Sequence, residues 1–442
     1  MKNISKRIIG LAIIAVLGIS IATIYSFNSS KNSEKVAFSL ADLLERDKDL
    51  SYDEFQKIQM KFDKLKAEYS KDSSNCESLL KISEIYIYEA RVSGEHPYYY
   101  SAALGTLDEV LSKSGTLTED QKFTALFYKA TVQLSQHNFN AALVTANQAL
   151  KINAINSGIY GVLVDANVEI GNYDEAVKLC DKMLQIRPDL RSYSRTSYLR
   201  EIYGDIPGSK KAMLMAIEAG APYSEYKCWS MITLGNIYES VGEIDSANYC
   251  YTAALSERER YPFAIAGQAR IEGKKGNYDA AVSLYNKALE VVPEIGFKIE
   301  LARLKKAQGK DVEVKAQIVA IEKMFQEDIQ SGHNMSLEYG SFILEFKNNP
   351  KEALKYGKME LKNRPNNIDV NKLLAFSYYG MGDTKNAKKH IAVALKTSKK
   401  DADLMCLKGL INKDKNMIEA SITLNPYQNH IYVARAKKFL AA

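Results

Sequence analysis

GNYDEA at residues 171–176 returns almost unchanged as GNYDAA at residues 276–281. Looser versions of the phrase surround both. They are Gly204-Asp205-Ile206, Gly242-Glu243-Ile244, Gly309-Lys310-Asp311 and Gly382-Asp383-Thr384, with His137-Asn138-Phe139 before them and the irregular Asn348-Asn349-Pro350 among them. Their first residues are spaced by 34, 33, 38, 34, 33, 39 and 34 positions. A period of this length in a helix-forming sequence predicts stacked helix pairs, in which no unit can bury its apolar flank without its neighbours.

Five residues after each turn begins stands a small or slim side chain: Ala142, Ala176, Ser209, Ala247, Ala281, Val314, Ala353 and Ala387. Apolar residues follow at helical spacing, as in Tyr251 with Ala254 and Tyr285 with Ala288. Proline closes several units, at Pro188, Pro293, Pro365 and Pro426. Leu234, Gly235 and Tyr238, then Ala247 and Tyr251, reproduce the pattern L-G-x-x-Y…A-x-x-x-F. On these residues the chain resembles the tetratricopeptide repeat family over residues 123–426, although the signature tryptophan is missing from nearly every unit. The resemblance implies an all-α fold, a right-handed α-solenoid of stacked antiparallel helix pairs.

The expected organisation follows from it. Residues 1–30 form a signal anchor or signal peptide, 31–74 a polar tether and amphipathic helix, and 75–122 a degenerate helical repeat. Residues 123–426 form about nine units, the last truncated, and 427–442 a capping helix. Extra residues near 220–226 and 326–335 account for the two long spacings, as loops or helix extensions.

The repeated phrase itself reads as architecture. Gly171 and Gly276 suit a left-handed turn between two helices. Asp174 and Asp279 then stand where a short side chain caps free amides, and Tyr173 and Tyr278 are expected to fill gaps between units.

The remaining composition narrows the function. The chain has 442 residues, 46% of them hydrophobic and 25% charged, a globular balance. The net charge of +6 is mild and does not call for nucleic acid. Lys2, Lys6 and Arg7 precede an uncharged apolar run at 8–27, long enough to cross a bilayer, with its N-terminal side expected in the cytoplasm. A bacterial inner-membrane anchor with an extracytoplasmic, periplasmic repeat domain is therefore expected. Secretion after cleavage at Ser20-Ile21-Ala22 is the alternative.

No catalytic constellation emerges. The five cysteines are scattered without a C-x-x-C, and the five histidines lack metal-ligand spacing. Gly204 to Lys210 imitates a phosphate loop but has three residues between its glycines instead of four. The expectation is no enzyme, no cofactor and no metal.

Function is then left to the surface. The family resemblance implies that the first helix of each pair lines a concave groove for peptide segments of partner proteins. With each turn residue taken as fifteenth in its unit, groove positions fall on Asp165, Arg191, Tyr198 and Glu201. In the next units they fall on Trp229, Asn236 and Glu239, then Phe263 and Arg270, then Arg303 and Lys306, and finally Phe342. Arg270 and Arg303 suit a partner's carboxylate, because a guanidinium offers two parallel donors. The expected partners are other proteins, as envelope complex components or peptide segments, together with the membrane through the N-terminal run and a possible homo-oligomer. A structural spacer or self-assembling envelope component is the alternative.

Overall fold

The computed structural model describes residues 38–46 and 52–442. The chain divides into two units, Met1–Ala41 and Asp42–Ala442. The expected anchor at 8–27 lies outside the described residues. Among those described, no helix is long and apolar enough to cross a membrane.

The described residues hold 22 α-helices and no strand. Helix α1 (Tyr52–Lys71) leads. Ten consecutive pairs follow, each joined by a short turn: α2 (Cys76–Ser93) with α3 (His96–Ser112), α4 (Glu119–Ser135) with α5 (Phe139–Ile152), α6 (Ser157–Ile170) with α7 (Tyr173–Ile186), α8 (Leu190–Ile202) with α9 (Ile206–Glu218), and α10 (Glu225–Ser240) with α11 (Ile244–Glu257). The second half continues with α12 (Pro262–Lys274) and α13 (Tyr278–Val291), α14 (Ile295–Ala307) and α15 (Asp311–Gln330), α16 (Ser336–Phe346) and α17 (Pro350–Asn363), α18 (Ile368–Gly380) and α19 (Thr384–Ala394), then α20 (Ala402–Asn412) and α21 (Lys415–Leu424). A last helix, α22 (Val433–Ala441), packs on α20 and α21. The fold is all-α, a solenoid of helix pairs.

Small residues set the spacing within and between pairs. Ala142, Ala176, Ala247, Ala281, Ala353 and Ala387 are all fully buried. In the pair α10/α11 the ring of Tyr251 is fully buried, and a side chain at Gly235 or at Gly267 of α12 would collide with it. Two glycines on successive first helices therefore make the slot that one aromatic fills, a close-packed contact with no room for a methyl group.

The helix ends follow local chemistry, with one departure from expectation. Thr118 and Asp189 form capping boxes, and Asp205 and Asp383 cap their helices through side-chain acceptance of backbone N–H groups. Asp174 and Asp279 do not cap. The N-cap positions are Asn172 and Asn277, without side-chain cap bonds. Asp174 instead accepts from the Tyr203 hydroxyl at 2.7 Å and Asp279 from the Gln308 amide at 2.9 Å, each reaching the next unit. One residue inside the helix, the carboxylate points outward and still gains from the dipole of the first turn.

The array curls until its second half meets its first. The α4–α5 turn is bonded to the α15–α16 loop, Asn334 donating its N–H to the Gln136 carbonyl at 3.0 Å. One pair on, the α6–α7 turn meets the α17–α18 loop. There Arg364 pairs with Glu169 at 2.9 Å, Asn367 donates to the Glu169 carbonyl at 3.0 Å, and the Ile368 N–H donates to the Tyr173 hydroxyl at 2.9 Å. A further pair on, a side chain at Gly204 would strike the Ser398 carbonyl, and after that one at Gly242 would stand 2.9 Å from Pro426. Each turn of the first half thus sits on a loop five pairs later.

Arg364 rivets this seam. Its side chain is 3% exposed, bonded to the equally buried Glu360 on its own turn of the superhelix and to Glu169 on the other. Its guanidinium also lies 4.9 Å from the Phe139 ring centre. A buried charge of this kind needs all its partners, because desolvation would otherwise outweigh the attraction.

Candidate functional site

The first helices α2, α4, α6, α8 and α10 stand like staves around a cavity of about 980 Å³. Arg91 on α2 closes the ring. Its Nε is 2.5 Å from the Glu225 carboxylate on α10, and its guanidinium lies 4.6 Å from the Tyr226 ring centre and 5.6 Å from that of Trp229. Four pairs of chain separate α2 from α10, so the curvature of the whole half-array produces this contact.

Six of the sequence-predicted residues line the cavity: Asp165, Arg191, Tyr198, Glu201, Trp229 and Asn236. Tyr198 is 36% and Trp229 43% exposed, high values for large rings facing inward. Arg191 is exposed, with its guanidinium 5.3 Å from the Tyr226 ring centre. Asp165 is held by Arg195 through two bonds of 2.9 and 2.5 Å. Phe263 extends the aromatic row, edge-on to Trp229 at 5.2 Å and to Phe297 at 5.5 Å.

The other predicted residues are placed differently. Arg270 is engaged within the chain through Nε and Nη2. Its Nε donates to Glu239 at 3.0 and 3.1 Å, and its Nη2 to Asn236 at 2.6 Å and to the Tyr251 hydroxyl at 3.0 Å. Burial works against charge on Glu239, but Arg270 and Lys274 hold its carboxyl below the ordinary range. Arg303 is likewise taken, bonded to Glu345 at 2.6 Å through two nitrogens and also to Glu300. These arginines tie neighbouring first helices together and do not stand open to a partner's carboxylate. Lys306 is exposed and reaches the Glu345 carbonyl at 3.3 Å.

Phe342 does not face the groove. It is 2% exposed, packed on Phe325 and Phe346 at ring separations of 5.6 and 5.2 Å. The cause is α15, which runs for 20 residues and lays Ile321 and Phe325 into the core around Phe342.

Sequence reasoning missed Glu84, Tyr88 and Arg91 on α2, Tyr128 on α4, Arg195 on α8 and Tyr226 on α10. The α2/α3 pair has no recognisable turn phrase, so no groove register could be assigned to it. Arg195 lies one residue off the counted position, four after Arg191, and that helical spacing was the available signal.

A second cavity of about 310 Å³ lies between α14, α16, α18 and the segment leading to α22. Lys372 enters it between Asp401 at 2.7 Å and Asp403 at 3.3 Å. The chain's own tail covers its rim: the Tyr432 hydroxyl donates to the Phe376 carbonyl at 3.0 Å, and His430 stands edge-on to the Phe376 ring at 5.5 Å.

Electrostatics shift both at the seam, where Glu169 meets Arg364, and in the first cavity, which Tyr198 and Glu201 line. Burial, with Asp369, Glu338 and Asp165 nearby, pushes the Glu169 carboxyl up to about 7 against the pull of Arg364. Burial and Asp369 raise Glu201 against Lys399, and burial with Glu169, Asp369 and Glu201 raises the Tyr198 phenol. Among the described residues no group of three or more His, Cys, Asp or Glu side chains could hold a metal ion.

Comparison with known proteins adds the following. A family described as tetratricopeptide repeat matches residues 133–195, and another of the same description matches residues 266–294; each stretch contains one of the twin hexapeptides. No curated protein matches the sequence. Among solved structures, the human IFIT1 dimer with PPP-AAAA is 16% identical, with 76% of this chain and 77% of that one covered and a TM-score of 0.47. The APC/C hetero-tetramer Cut9-Hcn1 is 16% identical over 87% and 76% of the two chains, with a TM-score of 0.45. Pseudomonas aeruginosa pilF is 14% identical over 48% of this chain and 97% of that one, with a TM-score of 0.38. The fold assignment rests on the chain's own helices, and these likenesses carry no functional information.

Proposed function

We propose that this chain, which carries tetratricopeptide repeats, is a non-enzymatic scaffold or assembly factor that holds a segment of a partner protein inside the ring of first helices. Tetratricopeptide repeats generally mediate protein–protein interaction. The observation that carries the reading is the cavity of about 980 Å³, in which Trp229 and Tyr198 keep 43% and 36% of their surface while core rings such as Tyr251 and Tyr285 are covered. Rings left uncovered in a concave site are the usual anchors of a partner.

The apolar run at 8–27, with Lys2, Lys6 and Arg7 before it, supports a membrane tether and an extracytoplasmic, periplasmic address for the repeats in a bacterial envelope.

A photo-crosslinking residue placed at Tyr198 or Trp229 in the full chain, in cells, is expected to capture a second polypeptide. The same residue at Tyr249, 76% exposed on α11, is expected to capture little. Capture at Tyr249 alone would overturn the reading. Capture of another copy of this chain at all three positions would favour a self-assembling spacer instead.

A further inference from the structure

The joint between the two halves holds a pair of histidines, one from each side. His137 opens the α4–α5 turn and His333 lies in the α15–α16 loop, their rings edge to face with centres 4.5 Å apart. His137 sits at φ 58°, in the left-handed position that Gly171, Gly204, Gly242, Gly276 and Gly309 take in the next five turns. Side chains rarely adopt that backbone, so the imidazole stands there at a cost in strain. Main-chain bonds fix both residues. The His333 N–H donates to the Asp328 carbonyl at 3.0 Å, and the Asn334 N–H crosses the joint to the Gln136 carbonyl at 3.0 Å.

The two rings differ in their partners. His137 donates from Nδ1 to the Asn334 carbonyl at 3.1 Å and has the Glu338 carboxylate 3.7 Å away, so a second proton on it meets a counter-charge. Both ring nitrogens of His333 are buried, and neither meets a hydrogen-bond partner. An imidazolium in that place would be a desolvated charge beside another histidine. Burial, with His137 and His96 nearby, accordingly pulls His333 down to about 3 from the ordinary 6.5. His96 opens α3, which packs on α15. The remaining charged groups here are Asp328 and Glu327 on α15, Glu294 at the head of α14, and Glu360 on α17. Glu327 is paired with Lys323, and Glu360 accepts from the Asn334 side chain at 2.8 Å and is tied to Arg364. Burial raises Asp328 to about 6 and raises Glu294 as well. Those two carboxyls favour closure as pH falls and so work against His333.

We infer that this rung of the joint is an acid-sensitive latch: a neutral His333 ring lets the two halves close on it, and its protonation, once water reaches it, holds them apart. In the closed joint His333 stays neutral down to about pH 3, whereas in the parted joint it takes up a proton near 6.5. Its share of the closure is therefore complete above 6.5 and is lost as pH falls from there. The inference concerns the joint alone and does not rest on the scaffold reading.

Amide hydrogen exchange of the full chain at pH 8 and pH 5, corrected for the intrinsic rate at each pH, tests it at the Asn334 N–H, which bonds across the joint. The comparison is with His333→Phe, which keeps a ring in the slot and cannot titrate. Protection of that amide should fall about thirtyfold more between the two pH values in the unaltered chain than in the variant. Asp328, Glu294 and the His137–Glu338 pair are present in both proteins, so their own titration drops out of the comparison. An equal pH response in the two proteins would overturn the inference. If His333→Phe does not fold, exchange of the imidazole C2 hydrogen in the unaltered chain, followed by mass spectrometry across pH, decides instead. His333 should remain unprotonated at pH 5, and titration near its ordinary value would overturn the latch.

Discussion

Two nearly identical phrases sit in opposite surroundings. At Gly171-Asn172-Tyr173-Asp174 the turn is covered: a side chain at Gly171 would run into the backbone of Asn366, and Tyr173 is 4% exposed and bonded to the Ile368 N–H. At Gly276-Asn277-Tyr278-Asp279 the turn is open: nothing lies within 4 Å of a side chain added at Gly276, and Tyr278 is 36% exposed. Both glycines are left-handed, at φ values of 93° and 84°. Local sequence therefore builds the same turn twice, and position along the curl decides whether the turn is also a joint. The first has a loop of the second half against it, whereas the second comes too late in the array for another turn of superhelix to reach it.

The strongest way to break this contrast is Arg364→Ala, which strands the buried Glu360 carboxylate and cuts the tie to Glu169. A loss of about 3–5 kcal/mol is expected in chemical denaturation, with the first and second halves unfolding separately. Gly171→Ala comes next. It adds left-handed strain to a backbone collision and should cost about 3 kcal/mol, against about 1 kcal/mol for Gly276→Ala, where only the strain applies. Tyr173→Phe removes the acceptor of the Ile368 N–H and should cost about 1–2 kcal/mol, whereas Tyr278→Phe should stay within about 0.5 kcal/mol.

The smallest effect depends on pH. Glu169 at the joint has its folded-state pKa raised to about 7, so the folded chain holds a proton that the unfolded chain releases near the ordinary carboxyl pKa of 4.5. This carboxylate therefore opposes folding above pH 7, and its penalty fades as pH falls through 7 towards 4.5. Thermal melts of Glu169→Gln should compare more favourably with the unaltered chain at pH 8 than at pH 5. A constant difference across that range would sink the assignment.

The helix pairs were legible because each is written in its own stretch of sequence: a turn residue that accepts positive φ, a small residue five later, an aromatic to fill the slot. Six of the predicted groove residues line one cavity for the same reason, since the register carries from unit to unit. What could not be read depends on several units at once. Arg91 meets Trp229 only after four pairs of accumulated curvature, and Tyr173 finds Ile368 only after a full turn. Phe342 was assigned to the groove because counting back from Asn348 assumes an ordinary preceding helix, and the long α15 buries that position. Arg270 and Arg303 carried a partial signal. Glu239 lies 31 residues before Arg270, about one repeat, which puts the two on neighbouring first helices within reach of each other.

The central claim is that the solenoid closes on itself, second half against first. Asn140 and Asn363, both exposed, lie across the joint, the Asn140 side chain donating to the Asn363 carbonyl at 3.3 Å. The five native cysteines are buried. With Asn140→Cys and Asn363→Cys in the full chain, a short bis-maleimide should link the two sites within one molecule, and Arg364→Ala should abolish the link. A doubly substituted protein that keeps its helical circular dichroism and still fails to cross-link would contradict the closed ring.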